Sequence, residues 1–338
     1  MNKKQGRQTV ILENRPRIIA SAGVVGKKEG EGPLREEFDR IFTDGRMNED
    51  SWEKAESALQ KAAIETAIQK SGKKNEEIDL LFAGDLLGQC IGTTFGIRDF
   101  GIPFAGLYGA CSTMALSLAM AGVFVNSGAA KTAIAATSSH FCSAEKQFRL
   151  PLEYGGQRPP QAQWTATAAG AAVVENADSG VTIEAVTFGK ICDMGVTDAN
   201  NMGAAMAPAA ADTIAAHFRE SGTKPTDYDV IVTGDLGAIG SKLAVQLLNS
   251  EHGFDISGIH KDCGTMLFAI DAQDVNSGAS GCGCSAAVMC THFMRRLREG
   301  EIKKLLFVGT GALMSTVSSQ QGESIPTIAH AVVLKGGE

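Results

Sequence analysis

The sequence has no basic excess: 31 Lys and Arg stand against 38 Asp and Glu, for a net charge of −7 and a pI near 5.5. Phosphate binding needs a dominant basic face, so nucleic acid is excluded as a general partner. Long apolar runs are also missing. The longest, 114–125, is too short and too rich in Gly and Ala to span a bilayer, and the opening MNKKQGRQTV has no signal-peptide core. The expectation is a soluble protein on the cytoplasmic side. The eight cysteines form no paired-spacing framework in a chain of 338 residues, which fits reduced thiols better than disulfides. The glycines of "GTGAL" (309–313) are not a dinucleotide fingerprint, because the third glycine and the following helix are absent.

What is present is ample apolar material, 44% of the residues, for one large duplicated unit or two domains. Residues 1–15 are polar and read as a flexible N-terminal segment, followed by a first strand at Arg17–Val25. A helix is expected over about 50–71, with Asn48, Asp50 or Ser51 as its cap. "IDLLFAG" (78–84), "IPFAGLY" (102–108), "TAIAATSS" (132–139) and "AAVVE" (171–175) are short apolar runs closed by Gly or polar residues, and read as buried strands. The segment 111–127 is apolar all round, as a helix between two sheets must be. The fold class is therefore α/β.

From Gly180 the order begins again. "IDLLFAGDL" (78–86) matches "YDVIVTGDL" (228–236), setting Asp85 against Asp235 at an offset of 150. "CSTMALSLAMAGVFVNSGAAKTAIAAT" from Cys111 matches "CSAAVMCTHFMRRLREGEIKKLLFVGT" from Cys284, with equal Cys-to-Lys and Cys-to-Thr spacings. Anchors in the same order make duplication the better reading, with halves at 16–178 and 179–338. The second half carries a 23-residue excess between its anchors, where His260 lies.

A duplicated unit with an apolar central helix and a Cys at that helix's start resembles the thiolase superfamily, closest to its β-ketoacyl-ACP synthase III branch. That resemblance implies a five-layer αβαβα architecture. Three stretches, "LPLEYGGQRPPQAQW" (150–164), "DMGVTDANNMGAAMAPAAADTI" (193–214) and "YGACSTMALSLAMA" (108–121), resemble the stage V sporulation protein AD family more narrowly.

Cys111 has two readings. At a buried helix N-terminus, unpaired N–H groups and the helix dipole favour thiolate and make an acyl acceptor. Alternatively a small residue is wanted at a crowded strand-to-helix turn, and Cys serves. The resemblance decides by the partners: the His and Asn positions of the synthase III branch fall on Gly234 and Gly283. Glycine offers an N–H to an oxyanion but moves no proton, so the nucleophile is expected to be vestigial and catalytic residues are not expected. The rival is a condensing acyltransferase using Cys111, with His260 as a displaced base.

Cys282-Gly283-Cys284, with Cys263 and Cys290 nearby, is a weak metal signal because no second pair stands at fixed spacing. No metal site is expected. "LEYGGQRPPQAQW" (152–164), with two glycines, two prolines and Arg158, reads as a rigid exposed loop; His140, which closes the strand 132–139, is a candidate for the pocket mouth, as are Arg149 and Arg158, whose other reading is solvated loop charges. "RRLREGEIKK" (295–304) suits a helix C-terminus and, as a second reading, an anionic membrane surface.

The family resemblance implies a dipicolinic acid-binding protein that helps move dipicolinate into the developing spore, with no cofactor other than calcium accompanying the ligand. It further implies homodimerisation, membrane partners from the stage V sporulation protein A operon and a place at the spore inner membrane. The expected site has Cys111 on the floor, Asp85, Asp235, Gly283 and Thr310 around it, and His140, Arg149 and Arg158 towards the mouth. Asp85 and Asp235 would repel a dianion unless calcium lay between them, and otherwise read as caps of helices beginning at 86 and 236.

Overall fold

The apolar runs become strands where their punctuation places them. In the computed structural model, which describes residues 2–148 and 158–336, Arg17–Val25 and Thr132–Ser139 coincide with the expected strands. Leu80–Gly84 and Phe104–Gly106 are the ladder-forming parts of two others, and Ala168–Glu175 begins three residues before the expected 171–175. The helix Trp52–Ser71 starts at Ser51, whose side chain accepts from the Lys54 N–H, and stops at Gly72 in the left-handed conformation.

Two five-stranded arrays repeat one pattern. The first runs Phe104–Gly106, Leu80–Gly84, Thr132–Ser139, Ala168–Glu175, Arg17–Val25, and the second His260–Asp262, Val230–Thr233, Lys304–Ala312, Thr327–Lys335, Val181–Phe188. In each, the first two pairings are parallel and the last two antiparallel. The arrays join where Val181 and Thr182 pair with Ile18 and Arg17.

Two helices fill the space between the arrays: Thr113–Ser127, and Cys282–Val288 continued through a π-helical turn, Met289–Phe293, into Met294–Arg298. Met114, Leu118 and Val125 are fully buried there, each contributing about 1.5–3 kcal/mol of transfer free energy. Trp52–Ser71 covers the outer face of the first array, and Met202–Ser221 with Gly237–His252 that of the second. Among the described residues one segment, Ala110–Ser127, is long and apolar enough to cross a membrane, and 72% of it is buried inside the fold.

Three expectations are corrected. Residues 2–12, read as loose, form a hairpin of Asn2–Gln5 and Thr9–Leu12, and its second strand pairs with Val181–Phe188. The first strand, NKKQ, is polar, and the second, TVIL, is too short a run to show an alternation. The loop expected at 152–164 ends in a short strand, Trp164–Thr165, parallel to Ala279–Ser280; residues 149–157 lie outside the described residues. The repeat register also differs. Lys131 and Thr132 N–H groups bind Asp79, while Lys303 and Lys304 bind Asp229, so the third strands correspond one residue earlier than the cysteine match implied. The π turn accommodates one extra residue in the second central helix. Upstream of it Cys111 therefore corresponds to Cys282, not Cys284, and the residue before each has positive φ: Ala110 at 48° and Gly281 at 100°.

Candidate functional site

The starts of the two central helices meet, and the meeting point is the site. Ala110 holds a left-handed conformation that costs a non-glycine residue about 1 kcal/mol or more. The turn is tied down by Ser112 Oγ on Gly109 O and Thr113 Oγ1 on Ala110 O, both 2.6 Å. Gly311 closes over it, so near that a Cβ there would stand 2.2 Å from Gly109 O. Opposite, the Cys282 thiol donates to Ser138 O at 2.9 Å. Cys111 and Cys282 share one apolar cluster with Leu86, Ala110 and Ala144.

Cys111 lines a chamber of about 30 Å³ with Tyr108, Glu145, Phe148, Met202 and Met314, room for about one water. Outside it lies a groove of about 370 Å³; Leu86, Tyr108, Phe148 and Met314 wall both spaces. The groove adds Gln89, Gln147, Ser315, Thr316 and Val317, and no charged side chain among the described residues lines it.

The group facing the Cys111 thiol is Asp235. Its carboxylate accepts from Gly281 N–H (2.8 Å), Thr310 Oγ1 (2.9 Å) and Ser280 Oγ (3.2 Å). Burial pushes Asp235 up to about 6 against these hydrogen bonds. Burial first, and Asp235 next, hold the thiol well above its ordinary range. The proton therefore stays on sulfur at neutral pH, opposite to what a nucleophile requires.

Asp85, the sequence match of Asp235, does something else. It accepts from Leu87 N–H at 2.7 Å and Thr93 N–H at 2.6 Å, fixing the segment 86–93 whose Gln89 and Cys90 adopt positive φ at the groove rim. Its counterpart in the second half is Asp262, which accepts from Leu236 and Gly237 N–H groups. Asp235 thus does not cap the helix Gly237–His252, whose start Asp262 holds. Nor do Asp85 and Asp235 converge on a cation. Their oxygens are occupied by separate donors, and no cluster of metal-ligating side chains occurs among the described residues.

Other expected site residues sit elsewhere. His140 is 2% exposed, bonded to Gly45 O at 2.8 Å and packed on Trp52, and does not line the chamber. Gly283 is a packing position: a Cβ would stand 2.1 Å from Ala168 O. Gly234, where the resemblance set the histidine, abuts Thr310 and Gly309. Arg158 faces inward, 3.3 Å from Glu145, with its guanidinium over Trp164 and Phe141. Arg149 lies outside the described residues. His260 bonds Thr233 Oγ1 on the edge strand and is absent from the chamber wall. The basic run at 295–304 is largely neutralised: Arg295 and Arg296 pair with Glu37, and Lys304 with Glu184. Sequence reasoning missed Glu145, Phe148, Met202 and Met314; only Tyr108, three residues before Cys111, had a signal.

The fold and the cysteine-bearing helix start define a thiolase-fold protein. Solved structures of that fold match across the chain. The 3-oxoacyl-[acyl-carrier-protein] synthase III of Aquifex aeolicus aligns over 95% of this chain and 99% of its own at 13% identity, TM-score 0.56. Human mitochondrial 3-ketoacyl-CoA thiolase aligns over 96% and 99% at 12% identity, also with TM-score 0.56. At these identities the likeness is one of fold. The particular family follows from sequence: residues 6–335 match the profile of stage V sporulation protein AD, and the chain belongs to that family. Stage V sporulation protein AD of Bacillus subtilis (strain 168) is 45% identical over 334 residues, 98% of each chain.

Proposed function

We propose that this sporulation protein is a thiolase fold retired from catalysis, which binds dipicolinate as its calcium chelate during uptake into the developing spore. The observation that carries this reading is the outer groove, lined by no charged side chain among the described residues, above a proton-holding thiol. A free dianion meets a desolvation penalty that the described lining, which carries no cation, does not offset. A one-to-one chelate is neutral overall, its metal bound by the ligand's own hard oxygens. The flat ring fits between Tyr108 and Phe148, with Gln89, Gln147, Ser315 and Thr316 as polar contacts. The inner chamber is too small for a pyridine ring, so the ligand belongs in the groove, with Cys111 beneath it.

In this reading calcium arrives with the ligand, and the chain works as a homodimer at the inner membrane with membrane proteins of the same operon. Titration calorimetry with dipicolinate, with and without calcium, tests it. Saturable binding that strengthens with calcium and weakens in Tyr108→Ala is expected. An acyl adduct on Cys111 that turns over with a malonyl acceptor would overturn it in favour of a condensing enzyme.

A further inference from the structure

Four side chains stand between the Cys111 thiol and the outer groove. Leu86, Tyr108, Phe148 and Met314 wall both the inner chamber of about 30 Å³ and the groove of about 370 Å³, and keep the two spaces apart. One of them, Leu86, belongs to a segment whose ends are fixed and whose middle is strained. At one end the fully buried Asp85 accepts from Leu87 N–H (2.7 Å) and Thr93 N–H (2.6 Å). At the other, Gly92 O accepts from Ser57 Oγ (2.8 Å) and Thr93 Oγ1 from Gln60 Nε2 (3.0 Å).

Between these anchors Gln89 (φ 58°, ψ 24°) and Cys90 (φ 53°, ψ 45°) are consecutive left-handed residues, and neither is glycine. Each disfavours that conformation by a factor of about five or more, so the pair persists only as far as its surroundings hold it. The hold is light. Gly88 and Gln89 are exposed, and a Cβ at Gly88 would meet nothing within 4 Å. Cys90 N–H reaches Leu87 O at 3.1 Å, its thiol reaches Leu107 O at 3.5 Å, and the Gln89 side chain makes no hydrogen bond among the described residues. The facing wall is built more firmly. Ser315 caps the short helix Thr316–Gln320, and Thr316 Oγ1 donates to Gln147 O at 3.0 Å, which ties that side of the groove to the helix Phe141–Phe148. The side able to yield is therefore 86–90.

We infer that residues 86–90 form a strained gate between the groove and Cys111. In the shut form described here Leu86 separates the two spaces. When Gln89 and Cys90 relax to right-handed backbone about Gly88, Leu86 is withdrawn and the chamber opens into the groove. Asp85 is the latch, because its two backbone bonds hold Leu87 and Thr93 together across the strained pair. The strain raises the shut form towards the open one, so the open form is a minor population within reach of the shut form. The inference goes beyond the ligand reading and does not depend on it: the gate controls access to a thiol, and its test contains no ligand.

That test is the rate at which iodoacetamide labels Cys111 in the full chain, read by peptide mass mapping against Cys290, a thiol 2% exposed in the other central helix that wider unfolding uncovers. Leu86→Ala widens the passage and Asp85→Asn weakens the latch; each is expected to raise the Cys111 rate about ten-fold relative to Cys290. Gln89→Gly removes the left-handed penalty from the shut form, and Gly88→Ala stiffens the pivot; each should lower the rate about three-fold. The opposite signs separate a gate from general loosening, which raises both thiols together. Should Asp85→Asn fail to fold, Leu86→Ala and the two slowing variants carry the test. A Cys111 rate that follows Cys290 in every variant overturns the gate, as does a rate that Gln89→Gly and Gly88→Ala both leave unchanged or raise.

Discussion

The Asp235 carboxylate faces the Cys111 thiol, and the pair is buried where neither group ionises readily: burial raises Asp235 to about 6, and burial with the neighbouring carboxylate holds the thiol well above its usual range. Cys111 occupies a helix start that in isolation favours thiolate. Desolvation and the adjacent carboxylate outweigh the helix end, because an isolated dipole contributes about 1 kcal/mol at most surface sites. Iodoacetamide at pH 8 should therefore label the half-buried Cys142 and Cys192 well before Cys111. Asp235→Asn removes the largest cause after burial and should speed Cys111 labelling by about ten-fold, one unit of thiol acidity. Peptide mass mapping over time reads both rates, and an unchanged Cys111 rate would show that burial alone protects the thiol.

The two glycines that stand where a condensing enzyme's histidine and asparagine were expected should differ in tolerance. A Cβ at Gly283 would meet Ala168 O at 2.1 Å and Ser139 N at 2.7 Å, both near the strand carbonyls and amides that define the interior. At Gly234 the nearest atoms are 3.3 Å or farther. Gly283→Ala should cost about 1–3 kcal/mol or abolish folding, while Gly234→Ala costs less than about 1 kcal/mol. Urea unfolding of both variants decides it; equal costs would mean that the backbone at 283 shifts freely.

How far the sequence alone reached follows from what each signal depends on. Arg17–Val25, Thr132–Ser139 and the Ser51 cap were legible because strand patterning and capping are local. The duplication was legible, yet its register was not: Cys282 and Cys284 stand two apart, and a π turn leaves no mark in composition. The identical "GDL" stretches hid a change of role. Asp85 fastens its own loop, whereas Asp235 turns to Cys111 because Gly281, Ser280 and Thr310 hold it there and Asp262 has taken over the fastening. Arg158 looked like a free loop charge because its partner, Glu145, lies on a helix that only folding brings beside it.

That pairing has a measurable consequence. Arg158 is 3.3 Å from Glu145, whose side chain is 1% exposed and also accepts from Thr165 Oγ1 at 2.9 Å. Arg158→Ala removes a facing cation from a buried carboxylate and should cost about 3 kcal/mol, whereas Glu145→Gln/Arg158→Ala should recover much of that loss. A thermal-unfolding double-mutant cycle gives the coupling; additive losses would show that the ion pair contributes nothing beyond its packing on Trp164 and Phe141.

Asp262 gives the chain a pH signature of definite sign. Burial first, and the nearby Asp235 charge among the further causes, raise it to about 7 despite hydrogen bonds from Thr233, Leu236 and Gly237. An unfolded-chain aspartate titrates near 3.9, so between about pH 4 and pH 7 the folded protein keeps a proton that the unfolded chain has released. The stability contributed by protonated Asp262 is full below that window and is lost as pH rises through about 7. His260, which shares the Thr233 hydroxyl, is pushed down to about 4 by burial, whereas an unfolded histidine titrates near 6.5, so between those values it adds a slope of the opposite sign that is common to wild type and Asp262→Asn and cancels in their difference. Asp262→Asn mimics the protonated acid and cannot titrate. Its deficit in Tm relative to wild type should be largest at pH 5 and shrink by pH 8; a deficit that stays constant from pH 5 to pH 8 would mean that Asp262 is already ionised in the folded protein, with its four donors outweighing desolvation.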